Sequence, residues 1–393
     1  MKRRLQVHLA TRTILLVAVS LVLVALVTAS SLPTVPTASA EQPGDSLALC
    51  TLEVQFIGFS DVLNKTNFGE FGVNELSAIT YDQHRGVYYS IADRAGAIQT
   101  HFFTLDIPVG SDALGVPTVL DAGVLNNDVG VAYNGFTFDG EGIAITRNKG
   151  LLVASESGSA VGQQPEIRRF SSEGAELESL EVPSRFLIGT NNLSFESLAL
   201  SPDGRSLFTA NEAPLAADGR TADLESRIRI LRYEDRGPGG FVPAEQFYYL
   251  TEPGRTVGDL GVADMIALSE ADLLVLERGF VAGQGNTVRV FRVSVKGAAD
   301  VSGELSLAAP GLVPLAKTLL VDLAGCPPSG ATIPPGATQP NALLDNFEGM
   351  TLGPYLSGGR RALILQSDDN AGTNQTTRLI VLAVSVASLV GQE

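Results

Sequence analysis

Acidic residues recur at both ends of a hairpin pattern that repeats along the chain. In the clearest copy, residues 195–200 are an alternating apolar run, residues 201–205 read Ser-Pro-Asp-Gly-Arg, and residues 206–212 are a second apolar run. Glu196 lies at the start of the first run and Glu212 at the end of the second. Because Pro, Asp and Gly supply the backbone angles of a tight turn, the pattern predicts a β-hairpin with one carboxylate at each open end.

Four more stretches of the chain repeat this pattern. Each has an apolar strand, a short turn and a second apolar strand with an acid at its end. The strand-start acids are Glu141, Glu196, Asp264 and Glu348, and the strand-end acids are Asp93, Glu156, Glu212, Glu277 and Asp368. The first copy departs from the pattern, because Ser77 stands where the others start with an acid.

These carboxylates could hold a metal ion if the fold brings them together. The start of one strand and the end of its hairpin partner are neighbours, so ring closure would gather all nine at one mouth of a central channel. Crowded carboxylates repel one another unless a cation or hydrogen-bond donors intervene. Oxygen ligands favour Ca²⁺, with Mg²⁺ or Mn²⁺ as less favoured alternatives. The other interpretation is that the acids are structural and tie neighbouring blades together.

Three further residues could take part in this chemistry. Asp369 follows Asp368 and extends the densest run of oxygen donors in the chain. Arg94 and Arg278 each follow a strand-end acid and could clamp the oxygens of a phosphate. A cation held by part of the ring would polarise that phosphate and activate water.

The repeat itself predicts the fold. The first strands of the hairpins begin at residues 77, 141, 196, 264 and 348, so one period spans roughly fifty to eighty residues. Less regular apolar strands follow each hairpin, and none has helical periodicity. Such a period is typical of a β-propeller with one four-stranded blade per repeat. We therefore predict an all-β propeller with five visible blades, and the long last interval leaves room for a sixth.

One strand and two cysteines are expected to close the ring. Residues 51–59 read as a strand before the first repeat, which could complete the last blade from the other end of the chain. Cys50 begins this strand, and Cys326 lies just before the last repeat. An even cysteine count in an exported chain predicts a Cys50–Cys326 disulfide, with two free buried thiols as the alternative.

Residues 1–40 have the features of a cleaved signal peptide. Basic residues precede an apolar segment at 14–27 that is short for a bilayer span, and residues 38–40 read Ala-Ser-Ala, which fits a cleavage site. An uncleaved membrane anchor is the alternative. We expect a secreted or periplasmic protein with a short leader at 41–50 and the propeller at 51–390.

Composition excludes several function classes. The formal net charge of −16 would become −20 after cleavage, because residues 1–40 contain four basic residues and no acids. This charge argues against nucleic acid and anionic membrane surfaces as partners. After residue 40 the histidines are His84 and His101, and the chain has no G-x-S-x-G motif, so neither Ser-His-Asp catalysis nor a zinc site is predicted.

Three motifs resemble a known family. They are residues 195–205, residues 273–279 (Leu-Leu-Val-Leu-Glu-Arg-Gly), and residues 345–351 (Asp-Asn-Phe-Glu-Gly-Met-Thr) together with Ser367-Asp368-Asp369-Asn370. In combination they resemble the phytase-like family, also described as esterase-like activity of phytase, in register from about Leu76 to Arg378. The resemblance implies an exported propeller whose repeated Glu and Asp residues serve a phosphoesterase or phosphodiesterase activity.

The functional expectation is a cation-dependent hydrolase of small-molecule phosphoric esters, acting as a monomer. In this hypothesis Glu348 and Asp368 bind the cation, Glu277 is a ligand or the base that orients water, and Arg278 stabilises charge on the phosphoryl oxygens. Two alternatives stay open. One is a non-catalytic propeller that binds an envelope polysaccharide or protein, and the other is a lactonase-type propeller hydrolase.

Overall fold

The computed structural model describes residues 49–93, 96–156, 163–188, 192–237 and 240–389. The predicted signal peptide, most of the leader and Arg94 lie outside these residues. Within them, the helical segments are single turns, Phe186–Ile188, Leu323–Gly325 and Val386–Leu389. None of the helices in these ranges has the length and apolar character needed to cross a bilayer.

Antiparallel strands account for the regular structure of this region. The chain first forms β1 (Val54–Ser60) and a small hairpin of β2 (Thr66–Phe68) and β3 (Phe71–Val73). Blade 1 contains β4 (Leu76–Asp82), β5 (Val87–Ala92), β6 (His101–Asp106) and β7 (Thr118–Val124). Blade 2 contains β8 (Gly140–Ile145), β9 (Leu151–Ser155), β10 (Glu166–Phe170) and β11 (Glu176–Ser179).

The next three blades repeat this order of strands. Blade 3 contains β12 (Ala199–Leu200), β13 (Ser206–Ala210), β14 (Arg227–Asp235) and β15 (Phe241–Leu250). Blade 4 contains β16 (Leu260–Ala267), β17 (Asp272–Val281), β18 (Gly285–Ser294) and β19 (Lys317–Asp322). Blade 5 contains β20 (Phe347–Leu356), β21 (Arg360–Ser367) and β22 (Leu379–Ser385), with β1 as its outer strand.

The predicted five-bladed propeller is confirmed. The long interval before the last hairpin, which left room for a sixth blade, contains no additional four-stranded sheet within 240–389. β1 pairs with β22 from Val54↔Val384 to Ser60↔Leu379, so the strand that precedes the first repeat completes the last blade. The predicted disulfide between Cys50 and Cys326 is also present.

The hydrophobic core lies between the blades, because successive side chains of a strand point to opposite faces of its sheet. In β17, Leu274 and Leu276 pack with the blade 5 residue Met350, whereas Leu273 and Val275 pack on the blade 3 side. Burying each of these aliphatic side chains contributes about 1.5–3 kcal/mol. A side chain in an inner strand therefore faces the preceding or the next blade according to its position, and this alternation decides which charged groups can meet.

Candidate active site

A β-bulge lies near the beginning of the innermost strand in four blades. Register shifts leave one extra residue in each strand pair, Ser77 in blade 1, Glu141 in blade 2, Ala263 in blade 4 and Glu348 in blade 5. Glu196 occupies the matching place in blade 3, directly after the Phe195↔Asn211 bridge. A bulge re-aims the side chain of its extra residue. Glu141, Glu196 and Glu348 accordingly line one cavity.

The bulge corrects the predicted strand-start position in blade 4. Ala263, not Asp264, is equivalent to Glu141 and Glu348. Asp264 is buried one residue further along, where its Oδ1 accepts from Met265 N and its Oδ2 from Met350 N, both at 2.7 Å. Burial raises its pKa well above the ordinary range, and these two backbone donors oppose that rise. The carboxyl therefore ties blade 4 to blade 5 and does not line the acidic cavity.

The residue directly after the bulge residue lies close to the next blade. In blade 4 this residue is Asp264, and in blades 2 and 5 it is Gly142 and Gly349. A Cβ at Gly142 would lie 2.8 Å from the carbonyl carbon of Ser197, and one at Gly349 would lie 3.0 Å from Cα of Ala78. In blades 2 and 5 a glycine lets the backbone of the next blade come close, whereas in blade 4 the carboxylate of Asp264 accepts a hydrogen bond from the backbone of blade 5.

The predicted strand-end residue of blade 4 is also wrong by one position. Glu277 pairs with Val262, as Ser155 pairs with Gly140 and Ser367 with Phe347. The residue equivalent to Asp93, Glu156, Glu212 and Asp368 is thus the next one, Arg278.

Glu277 itself faces blade 3 and not the cavity. Its Oε1 accepts from Tyr249 Oη at 2.6 Å and from Lys317 Nζ at 2.6 Å, and its Oε2 accepts from Glu252 N at 3.0 Å. The side chain is fully buried. The structure therefore places Glu277 in a packing contact between blades, away from any position where it could orient water in the cavity.

The acidic cavity at this mouth of the ring has a volume of about 600 Å³. Seven of the nine predicted ring acids line it, Asp93, Glu141, Glu156, Glu196, Glu212, Glu348 and Asp368. Among the residues that the structure describes, Arg278 is the one cationic side chain in its wall. Asp369 lies outside it, where it forms an ion pair with Lys65 and accepts from Glu75 N at 3.0 Å.

The sequence interpretation missed one acid at this site. Asp139 is buried, and carboxylate oxygens of Asp93, Asp139 and Glu141 all lie within 4.8 Å of one another. The backbone N–H of Glu156 donates to the carbonyl oxygen of Asp139 at 3.2 Å, which places Glu156 next to this group. The available signal was the acid-Gly-acid triplet at 139–141, in which only the last residue was assigned to the strand start.

Carboxylates lie close together on the side formed by blades 1 and 2. Burial, then Asp139, raises the pKa of Asp93 to about 10, and burial, then Asp139 and Glu212, raises the pKa of Glu156 to about 8. Burial and neighbouring carboxylates also raise the pKa of Glu141 well above its ordinary value. Among the described residues, the side chains that act most strongly on these three groups are all acidic, so each carboxylate makes the ionisation of its neighbours harder.

Arg278 supplies the counter-charge on the other side of the cavity. Its Nη2 lies 2.6 Å from Oε1 of Glu348 and 3.2 Å from Oε1 of Glu212. Burial raises the pKa values of Glu196, Glu348 and Asp368, and the guanidinium opposes this rise in each of them. In return, neighbouring carboxylates raise the pKa of Arg278 although its burial acts in the opposite direction.

The blade 1 and 2 side fits a hard divalent cation. Carboxylate oxygens are the ligands that Ca²⁺ and Mg²⁺ prefer in proteins. Glu156 is 2% exposed, and its Oε2 has no hydrogen-bond partner among the described residues. A buried carboxylate oxygen without a donor is costly, and a bound cation would remove that cost.

Neutral polar groups make up much of the remaining wall. Amide side chains contribute at seven positions, Asn192, Asn286, Gln339, Asn346, Asn370, Asn374 and Gln375. Residues 336–339 also line the cavity, on the segment that begins at the disulfide-bonded Cys326. Gln339 fastens this segment to blade 4, since its Oε1 accepts from Asn286 N at 2.8 Å.

Comparison with known proteins gives one family match. The family model described as phytase-like, esterase-like activity of phytase, matches residues 72–371. No curated protein matches the chain.

Three solved structures that match the chain share 8–12% sequence identity with it. The periplasmic gluconolactonase of Pseudomonas aeruginosa is 12% identical over 79% of this chain and 88% of its own, with a TM-score of 0.32. A glycosyl hydrolase from Bacteroides ovatus is 8% identical over 81% and 86%, with a TM-score of 0.43. The arabinanase of Bacillus subtilis is 12% identical over 80% and 96%, with a TM-score of 0.38. At these scores the similarities carry no functional argument.

Proposed function

Since the chain belongs to the phytase-like family, we propose that it is a divalent-cation-dependent hydrolase of phosphoric esters. One observation carries the proposal. The cavity combines a cluster of carboxylates close enough to share one cation, those of Asp93, Asp139 and Glu141, with the guanidinium of Arg278, and these are the two kinds of group that a phosphoryl site needs.

In this proposal the cation belongs to the blade 1 and 2 side. Asp93, Asp139 and Glu141 would hold it, with Glu156 beside them. The sequence hypothesis placed Glu348 first among the ligands, but that carboxylate already accepts from Arg278 and, at 2.9 Å, from the Asn346 amide. We favour Ca²⁺ over Mg²⁺ or Mn²⁺, because an irregular set of protein carboxylates suits its flexible coordination.

The protein groups and the cation divide the chemistry. A bound divalent cation supplies Lewis-acid polarisation of a phosphoryl oxygen and lowers the pKa of bound water. Arg278 donates to the phosphoryl oxygens, and its ion pairs with Glu212 and Glu348 hold the guanidinium in place. Its Nε is buried and has no hydrogen-bond partner among the described residues.

The proposed site of action is outside the cytoplasm. The basic and apolar segments of residues 1–40 and the Cys50–Cys326 disulfide are consistent with export. N-terminal sequencing of the protein recovered from culture medium or periplasm should find Glu41 as the first residue. An intact residue 1 on the exported protein would contradict cleavage.

The decisive experiment measures bound metal and turnover together. The purified protein should contain a divalent cation and should hydrolyse a phosphomonoester or phosphodiester, and chelator should abolish turnover. Glu141→Gln should lose both cation and activity while it stays folded, whereas Glu53→Gln, at an exposed acid, should retain both. Turnover of lactones alone, or no turnover in the presence of bound cation, would reject the phosphoric ester proposal.

A further inference from the structure

We propose that the far end of the central channel binds a small amphipathic carboxylate, with its aliphatic chain inside the channel and its carboxylate among basic side chains at the rim. The site is a second cavity with a volume of about 510 Å³, which is within the range of pockets that hold small molecules. It is separate from the acidic cavity, so ligand binding there does not depend on the proposed function.

All five blades form this second cavity. Its lining residues are Arg361 and residues within 79–84, 143–149, 198–202, 264–268 and 350–355. The innermost strands of blades 2, 3 and 5 begin at the acidic cavity, where Glu141, Glu196 and Glu348 lie, and they end at the second cavity. The two cavities therefore occupy opposite ends of the same ring of strands.

Apolar side chains make up much of the wall of the second cavity. Four of them are partly exposed and also pack on the core between blades, Ile145, Leu200, Ile266 and Leu268. Met350 is buried in the same wall. Transfer of an aliphatic chain from water to such a surface is favourable in proportion to the apolar area that becomes buried. The wall therefore suits the aliphatic part of a ligand.

Basic side chains lie at the rim of this cavity. Arg147 and Lys149 line it from the turn between β8 and β9, and both are exposed. Arg361 lines it from blade 5, where its Nε donates to Gly353 O at 3.1 Å and its guanidinium lies 5.0 Å from the ring centroid of Tyr355. Burial lowers the pKa of Arg361, although neighbouring tyrosines oppose this effect. An anion beside the guanidinium would offset the cost of burying its charge.

Two carboxylates also line the second cavity, and both accept hydrogen bonds from the backbone. Oδ1 of Asp82 accepts from His84 N at 2.9 Å and from Arg85 N at 3.1 Å, so it stabilises a turn. Asp264 uses both oxygens to connect blades 4 and 5. Among the described lining residues, the three side chains of Arg147, Lys149 and Arg361 outnumber these two acids, and the rim therefore favours an anionic head group over a cationic one.

Isothermal titration calorimetry of the mature chain, without excess divalent cation, tests the proposal with three probes. Decanoate should bind with a stoichiometry of one. Acetate, which lacks the aliphatic chain, and decyltrimethylammonium, which reverses the charge, should each bind more weakly by about tenfold or more. No binding of decanoate, or equal binding of decyltrimethylammonium, would overturn the inference. Co-sedimentation with anionic phospholipid vesicles in the absence of decanoate binding would also overturn it, because the partner would then be a membrane surface.

Variants at the rim separate a local site from long-range attraction. The double variant Arg147→Gln, Lys149→Gln should weaken decanoate binding about tenfold, because exposed charges contribute modestly to an ionic contact. The control is Arg236→Gln, Lys296→Gln, which removes the same charge at exposed positions outside this cavity and should keep the native affinity. Equal weakening in the two double variants would show that only the overall charge matters, and the proposed site would be wrong.

A fluorescent reporter locates the bound chain. The sequence contains no tryptophan, and Tyr355 is 65% exposed at this rim. In the variant Tyr355→Trp, decanoate should shift the emission to shorter wavelength, with the affinity that calorimetry gives. The control Phe280→Trp, at a 54% exposed position in the wall of the acidic cavity, should not respond. A response of Phe280→Trp without one of Tyr355→Trp would place the ligand in the acidic cavity and overturn the inference.

Discussion

Arg278 and Glu348 lie 70 residues apart in the chain, and yet Nη2 of the arginine is 2.6 Å from Oε1 of the glutamate. The pair connects β17 of blade 4 to β20 of blade 5. The same guanidinium nitrogen lies 3.2 Å from Glu212, which follows β13 of blade 3. One arginine thus joins three blades and supplies a positive charge to the acids on this side of the ring.

Arg278→Gln should reduce kcat/KM for the phosphoric ester by about 10²–10³, the range seen when one donor to a developing negative charge is removed. Arg278→Lys should recover part of this loss, because it keeps the charge but not the forked geometry. Steady-state kinetics with the cation-loaded protein tests this, and circular dichroism checks that the β fold is retained. A loss of less than twofold in the Gln variant would exclude Arg278 from substrate binding.

Glu277→Ala should destabilise the protein by about 1–3 kcal/mol, because it leaves the Tyr249 hydroxyl and the Glu252 N–H without their buried acceptor. Lys317 loses this partner as well but keeps Glu252 Oε1 at 3.1 Å and Leu250 O at 2.8 Å. Its activity per folded molecule should stay normal, since this side chain lies outside the cavity. Urea unfolding and active-site-normalised kinetics separate the two effects. If the Glu277→Ala variant keeps full stability but loses turnover, Glu277 takes part in catalysis after all.

Replacing Cys50 and Cys326 together by Ser should lower stability by up to about 5 kcal/mol. The disulfide closes a loop with a sequence separation of 276 residues, and long closed loops restrict the unfolded chain most. KM should rise as well, since residues 336–339 line the cavity on the segment that begins at Cys326. In thermal unfolding, reductant should lower the melting temperature of the native protein to that of the double variant. The melting temperature of the double variant should not change when reductant is added.

Stability of the cation-stripped protein should fall as pH rises from about 5 to about 9. The folded-state pKa values of Glu156, about 8, and Asp93, about 10, lie above the ordinary values of about 4.3 and 3.9. At a pH between the unfolded-state pKa and the folded-state pKa of each group, the folded state binds more protons than the unfolded state. Rising pH therefore favours unfolding. Melting temperatures across this range should show the decline, and saturating Ca²⁺ should flatten it. A melting temperature that rises with pH without cation would contradict the raised pKa values of Glu156 and Asp93.

Local signals sufficed for the fold. The turn at 201–205 and the alternating runs on either side of it identify a hairpin without reference to the rest of the chain. The recurrence of the hairpin predicted the blades. The strand before the first repeat was predicted to complete the last blade, and the pairing of β1 with β22 confirms this prediction. The disulfide followed from Cys50 and Cys326 being the two cysteines of the sequence.

The site depended on features that local signals do not contain. The pairing of β16 with β17 makes Ala263 the bulge residue and Arg278 the strand-end residue, where Asp264 and Glu277 were expected. A shift of one residue turns a side chain to the opposite face of the sheet. The sequence by itself determined the type and approximate position of the charged groups. Only the packing of neighbouring blades decided that Asp139 meets Asp93 while Arg278 meets Glu348, because each of these contacts joins strands of two different sheets.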